Sequence, residues 1–400
     1  MTSLSSRTAP IPRDLTEELS HRIRNVITSE IGLVADRGRD DPDVVKLWIG
    51  EGDLPTPHYI VEAAEAALRA GHTRYTYSLG LPRLRQALSD YHFRHWNVRL
   101  PVERFTVTVG GMNALMQSAQ AVLDPGDEII VPTPAWPNLI ESMRLAGGKP
   151  VLVPYAIQSD GRLALSIDDV LAAITPKTKA ILINSPSNPT GWVMPREDME
   201  KFVELSRTEN IWIIADEVYA QFKYDGSVAP SFLQITDEND KVIVTNTFSK
   251  NWAMTGWRIG WAVLPPGLDK YYAKLSEYNT TGVPTFVQHA AIAALDQGDE
   301  FIGEMVSRCA ETRKIFVDGL SQIEGVTVLP PDGAFYLMVG FPGNETSLDM
   351  AIRMLKEAKV GVAPGTAFGS GGQGYLRLCF AISPNLAREA VKRLTEFFKK

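Results

Sequence analysis

A mostly parallel central sheet with helices on both faces, followed by a smaller α+β domain, is the α/β fold this sequence predicts. Three observations predict it. Short apolar runs recur as far as Val263, each bounded by Gly, Pro, Asn or Asp; amphipathic stretches of helical length separate several of them; and the pattern changes from Pro284 onwards. Short apolar runs closed by chain breakers read as strands buried on both faces, and their alternation with helical stretches is the βαβ rhythm of a parallel sheet.

The expected strands are 105–109, 128–131, 180–183, 211–215, 241–244 and 258–263. Helical periodicity fills 113–123, 138–146, 167–174 and 196–207 between them. After Pro284 two helical segments reach Ile323, the second of them long. Strands near 326–329, 334–339 and 375–380, with helices at 348–358 and 385–398, then complete the smaller domain. The reading divides the chain into an N-terminal arm and part of the small domain (1–49), a large domain (50–297) and a C-terminal small domain (298–400), with no internal repeat or low-complexity linker.

Composition narrows the function classes. With 400 residues, 44% hydrophobic and 22% charged, the chain can bury a large core, and its net charge of -7 without any long basic run argues against nucleic acid as the main partner. No apolar run approaches the roughly 20 residues of a membrane span. Cys309 and Cys379 are the only cysteines, too few for a disulfide framework and without metal-type spacing, so a reducing, cytoplasmic setting is expected and no metal. His92 and His95 lie one helical turn apart in a stretch (91–96) that reads as polar, so a solvated helix face is expected there. Residues 1–13 contain Ser and lack acids, faintly like a transit peptide; a flexible N-terminal arm is the expectation.

In a doubly wound sheet ligands bind beyond the carboxyl ends of the strands, so the residues just after each apolar run carry the candidate chemistry: Gly110 and Gly111, Trp136, Asn188, Asp216 and Lys250. Lys250 stands among the hydroxyls of Thr247 and Ser249 and the guanidinium of Arg258. A lysine can form a Schiff base with a carbonyl, while hydroxyls and an arginine fork hold a phosphate dianion, so the segment suits a phosphate-bearing aldehyde. Gly110 and Gly111 precede a helix, whose exposed N–H groups favour an anion. Asp216 ends an apolar strand, where its carboxylate could keep a ring nitrogen protonated. Asn188 and Tyr219 could donate to a phenolate oxygen on that ring and Trp136 could stack on its face, although an Asn-Pro turn also accounts for Asn188 and a core position for Trp136. The strand ending in Asp-Glu is also like the magnesium strand of a P-loop ATPase, but the only Gly-Lys pair, Gly148-Lys149, is followed by Pro150 and completes no such loop.

From about Ser29 to its end the chain resembles the fold-type I, class I/II pyridoxal-phosphate aminotransferases. The motifs are Gly-Glu-Gly-Asp-Leu-Pro-Thr-Pro (50–57), the segment 75–80, Val109-Gly110-Gly111, Asn188-Pro-Thr-Gly191, Asp216-Glu-Val-Tyr219, Ser249-Lys250, Gly256-Trp-Arg-Ile-Gly260, Gly333-Ala-Phe-Tyr336 and Arg377-Leu378. The resemblance implies pyridoxal 5′-phosphate as cofactor, with Lys250 as Schiff-base lysine and proton carrier, Asp216 on the pyridine nitrogen, Asn188 and Tyr219 on the phenolate oxygen and Trp136 on the ring. Gly110, Gly111, the Met112 amide, Thr247, Ser249 and Arg258 are implied at the phosphate. Tyr75 is implied to reach it from a partner subunit, hence a homodimer with shared sites. Arg377, helped by Asn188 and the backbone of Gly50, is implied to take the substrate carboxylate, by a ping-pong exchange between an L-amino acid and a 2-oxo acid.

Met112 stands where an aspartate-using subgroup of that family has a lysine, and 277–284 offers no arginine, so with Ile31 expected in the same pocket the donors expected are neutral, aromatic or aliphatic, with 2-oxoglutarate or pyruvate as acceptor. Lys274, expected on a loop, is the cation that could reverse this. An aspartate-type aminotransferase and a C–S lyase or decarboxylase on the same scaffold are the alternatives. A nicotinamide dehydrogenase would need GxGxxG after a strand, which is absent, and a transcription regulator a DNA-binding domain ahead of this one, for which the short N-terminus leaves no room.

Overall fold

The computed structural model describes residues 15–158 and 162–399, so the arm expected at 1–13 lies outside the described residues. Seven strands form the central sheet: β1 (Phe105–Thr108), β2 (Glu128–Thr133), β3 (Lys149–Pro154), β4 (Thr178–Asn184), β5 (Trp212–Asp216), β6 (Val242–Thr247) and β7 (Gly260–Val263). Their order in space is β1-β7-β6-β5-β4-β2-β3. Only β7 runs against its neighbours, pairing antiparallel with both β1 and β6. The apolar runs become strands because both faces are covered: Ala180 to Ile183 and Ile213 to Ala215 are almost wholly buried.

The polarity of β7 has a functional consequence. Arg258 precedes this strand, yet because the strand is reversed its amino end meets the carboxyl ends of β1 and β6, beside Gly110 and Thr247. Arg258 takes a left-handed conformation, φ 55°, to make that turn. Strand β3 is an edge strand that the sequence reading left out, since Pro150 and Pro154 interrupt its apolar run; an edge position tolerates them.

The smaller sheet contains β8 (Thr327–Leu329), β9 (Tyr336–Gly340), β10 (Ala363–Pro364) and β11 (Tyr375–Cys379), in the order β8-β9-β11-β10. Around it pack α1 (Glu30–Gly38) and the helices Asp299–Leu320, Ser347–Ala358 and Pro384–Phe398. The early segment Val45–Lys46 pairs in parallel with Val360 and Gly361, tying the front of the chain to this unit. Helix α2 (Pro82–Trp96) and α3 (Gly111–Val122) lie against the central sheet, and α4 (Phe248–Asn251) follows β6 directly.

One expectation fails here. His92 is 1% exposed and His95 is largely covered, not solvated. Residues 91–96 are aromatic rather than polar in their effect: Tyr91, His92 and Trp96 pack with Phe105 and Trp261, and His92 Nε2 accepts the Trp261 indole N–H at 3.1 Å. Burial pushes the His92 imidazole down to about 3, so it stays neutral and can accept.

Candidate active site

The carboxyl ends of β1, β4, β5 and β6 open on a cavity of about 510 Å³. It lies between the two cores, one built on the central sheet and one on the smaller sheet. Its lining brings together Ile31, Gly50, Gly111, Met112, Trp136, Asn188, Asp216, Tyr219, Thr247, Ser249, Lys250, Arg258 and Arg377, which the sequence had singled out from distant segments.

Lys250 sits on the single turn of α4, capped by Thr247, whose Oγ1 accepts the Ser249 amide at 3.2 Å. Its amine donates to the Gly50 carbonyl at 2.6 Å and lies 5.7 Å from the centre of the Tyr219 ring. Burial depresses the amine to about 8, against smaller opposing effects of Cys379 and Glu51. Asp216 is 2% exposed at the end of β5 and receives the Asn184 amide at 3.0 Å and the Thr245 hydroxyl at 3.2 Å. Burial raises it to about 7, only partly offset by Thr245 and Lys250. Among the described residues no cation touches this buried carboxylate, which is the setting a protonated ring nitrogen would complete.

Near Lys250, Thr247 Oγ1 lies 2.9 Å from Ser249 Oγ, and the Arg258 guanidinium donates to the Thr255 carbonyl at 2.6 Å. Gly110 caps α3 with φ 78°, and a Cβ on it would stand 2.5 Å from Arg258 Nη2. Glycine is required there both for the left-handed turn and for the guanidinium's approach. A helix N-terminus, two hydroxyls and an arginine free of any acid partner among the described residues thus face one corner of the cavity.

Arg377, on β11, is 1% exposed. It donates to the Trp48 carbonyl and, at 3.3 Å, to Asn188 Oδ1, and stacks 4.7 Å over the Tyr336 ring. Its Nε has no partner, and no carboxylate pairs with it among the described residues. A buried guanidinium lacking a carboxylate is costly on its own, so the arrangement suits a ligand that brings one.

The remaining sequence candidates separate. Trp136 is half-buried on the cavity wall, and Ile31 and Met112 line it as expected. Tyr75 does not line it: the side chain is 90% exposed on a loop facing 280–286. Lys274 is not on a loop; it lies within the helix Asp269–Asn279 with its amine over the Tyr271 ring, away from the cavity. The sequence reading gave no role to Tyr336, whose hydroxyl lies 2.7 Å from that of Tyr219, nor to Asn184, Thr245 and Arg39. Asn184 was legible, because it ends an apolar strand as Asp216 does.

The description "Aminotransferase class I and II" fits residues 42–394 of this chain. The chain belongs to the class I and II aminotransferase family. It is 36% identical over 386 residues to an aspartate aminotransferase of Pyrococcus abyssi, covering 96% of this chain and 98% of that one. It is 33% identical, with the same coverage, to an aromatic-amino-acid aminotransferase of Thermococcus litoralis. The solved aspartate aminotransferase of Thermotoga maritima superposes with a TM-score of 0.89 at 33% identity, over 96% of this chain and all of that one. The protein is therefore an aminotransferase of the fold-type I architecture, a class whose members depend on pyridoxal phosphate.

Proposed function

We propose that the cavity binds pyridoxal 5′-phosphate and exchanges an amino group between an L-amino acid and a 2-oxo acid by a ping-pong route. The observation that carries this is the placing of Lys250, Asp216 and Arg377 around one cavity, each buried or partly buried and none paired with an opposite charge among the described residues. When bound, the cofactor supplies an aldehyde and an electron-withdrawing ring.

The chain's own residues supply the rest. Lys250, held near 8, carries an amine that is in part unprotonated at neutral pH, so it can attack a carbonyl and then hold and return a proton at Nζ. Asp216, oriented by Asn184 and Thr245, would hold the ring nitrogen, and Tyr219 and Asn188 the phenolate oxygen. Gly110, Gly111, the Met112 amide, Thr247, Ser249 and Arg258 would take the phosphate. Arg377 would take the α-carboxylate in its planar fork, helped by Asn188 and the backbone of Gly50, and Trp136 would cover the ring face.

Three further points belong to the same reading. Tyr75, exposed on its own subunit, is assigned to the cavity of a second copy, which makes the enzyme a homodimer with shared sites. The division at 1–49, 50–297 and 298–400 is supported by the packing of Val45 and Trp48 into the core of the smaller sheet. A cytoplasmic setting is supported by the free, buried Cys309 and Cys379; no described helix is long and apolar enough to cross a membrane.

Ile31, Ile49, Met112 and Trp136 favour neutral amino donors, aromatic or aliphatic. An aspartate-type donor is the second reading, favoured by Arg39 at the cavity rim and by the names of several relatives. The deciding experiment is visible absorbance of the purified protein with pyridoxal phosphate while single amino acids are added. A band that a donor bleaches and 2-oxoglutarate restores is the expected result. No band at all overturns the cofactor assignment, and pyruvate release without amination moves the enzyme to lyase chemistry.

A further inference from the structure

Tyr91 stands in helix α2, fully buried and outside the cavity lining. Its ring packs among Trp96, Trp252 and Trp261, with centroids 5.7, 5.6 and 6.0 Å away. Phenylalanine would fill that space equally well. The hydroxyl therefore needs its own explanation, since a polar group among aromatic rings is costly unless it is bonded.

It is bonded twice. Gln221 Nε2 donates to the hydroxyl at 2.8 Å and Asn251 Nδ2 at 3.2 Å. Gln221 lies two residues beyond Tyr219, on the turn that leaves β5 after Asp216; Asn251 is the neighbour of Lys250. One phenol thus joins the two segments that carry the amine and the carboxylate. Among the described residues Asn251 Oδ1 has no partner, so this hydroxyl is the polar hold on the Asn251 side chain. Burial raises the Tyr91 ionisation above the usual tyrosine range, keeping the hydroxyl neutral around neutral pH.

The tie matters because α4 is a single turn. So short a helix has no stability of its own and takes its orientation from what grips it. Thr247 caps the turn at its start, and the Asn251–Tyr91 bond fixes its end. Phe248 and Trp252 pack against each other at 4.9 Å, but ring contacts slide more readily than hydrogen bonds. We propose that Tyr91 is a positioning residue for amino transfer: its hydroxyl sets Lys250 relative to the Asp216–Tyr219 turn. The inference rests on the proposed pyridoxal-phosphate chemistry, in which those two segments must act on one bound group.

The test uses the whole chain loaded with pyridoxal phosphate and compares wild type with Tyr91→Phe, Asn251→Ala and the variant carrying both changes. Four quantities are read: kcat, KM for the best donor, the pH midpoint of the visible band, and the rate at which the cofactor-free protein captures pyridoxal phosphate. Since small misplacements of a reacting group carry large rate penalties, kcat should fall about 10-fold in both variants with KM changed less than about two-fold. The pH midpoint should move in the same direction in both, capture should slow, and the double variant should be little worse than the stronger single one, because both break one tie. Unchanged kcat and midpoint in both variants overturn the proposal. So does a kcat loss that vanishes at temperatures well below each variant's melting point, since Tyr91 would then act on stability alone. A wild-type protein with neither band nor turnover overturns the functional reading itself, a result distinct from either.

Discussion

Asn184 and Asp216 are register partners on neighbouring parallel strands, and the Asn184 side chain donates both to the Asp216 carboxylate at 3.0 Å and to its carbonyl at 3.0 Å. The relationship is a product of topology: adjacent parallel strands end level with one another, so two polar residues closing two apolar runs meet. It leaves Asp216 aimed yet without a cation among the described residues.

This geometry makes the cofactor-free protein pH-sensitive. Burial raises Asp216 from 3.8 to about 7, so between these values the folded state holds a proton that the unfolded chain has released. Stability from this group therefore falls as pH rises across that window and stays lower above it. Asp216→Asn should melt higher than wild type at pH 8 without cofactor, while losing retention of pyridoxal phosphate. Thermal unfolding at pH 5 and pH 8 checks this; a variant that melts lower at both, with cofactor retained, would remove Asp216 from its role.

Lys250 carries the opposite linkage. Burial lowers its amine from 10.5 to about 8, so the folded state gives up a proton that the unfolded chain keeps, and stability from this group rises between pH 8 and 10.5. Wild type should gain on Lys250→Ala across that interval, and the variant should keep its fold at neutral pH. Loss of the nucleophile and proton carrier should lower turnover by at least about 1000-fold. Retained activity in Lys250→Ala would sink the assignment.

Arg377→Ala should weaken amino acids and oxo acids alike, because both present the same carboxylate to it. Removing one partner of a buried charged pair costs about 2 kcal/mol or more, a rise in KM of roughly 30-fold. Arg377→Lys should recover little, since an ammonium cannot reproduce the planar fork that also donates to Asn188 and Trp48. An effect confined to one donor would instead place Arg377 against the side chain.

The site was legible in the sequence wherever a functional residue follows an apolar run, since the strand pattern itself says where Asp216, Thr247 and Lys250 go. Legibility failed where a partner does not follow an apolar run. Arg39 meets the cavity from the end of α1, where no strand pattern marks it, and Tyr336 opens the expected strand β9 rather than closing one, so the strand rule gives it no role. His92 was misplaced because the aromatic residues of 91–96 read as part of a polar face, whereas Tyr91 and Trp96 join Phe105 and Trp261, both outside that stretch, in covering it. Strand β3 was hidden by two prolines, which its edge position tolerates.

Donor choice is the point at which two features of one cavity oppose each other. Ile31, Ile49, Met112 and Trp136 offer an apolar surface, which favours phenylalanine or leucine over aspartate. Arg39 is the one cation of the lining that Lys250, Arg258 and Arg377 leave without a task, and its exposed pairing with Asp36 at 3.1 Å is weak enough for a ligand carboxylate to displace. Neutral donors should turn over faster than aspartate, while 2-oxoglutarate should gain from Arg39 as acceptor. An exposed contact of this kind is worth about 1 kcal/mol, so Arg39→Ala should lower kcat/KM for 2-oxoglutarate about five-fold and leave phenylalanine unchanged. Comparable turnover with aspartate and phenylalanine in wild type would end the neutral preference. If Arg39→Ala then lost aspartate turnover selectively, the arginine rather than the apolar wall would be the determinant, and the aspartate-type reading would replace the first.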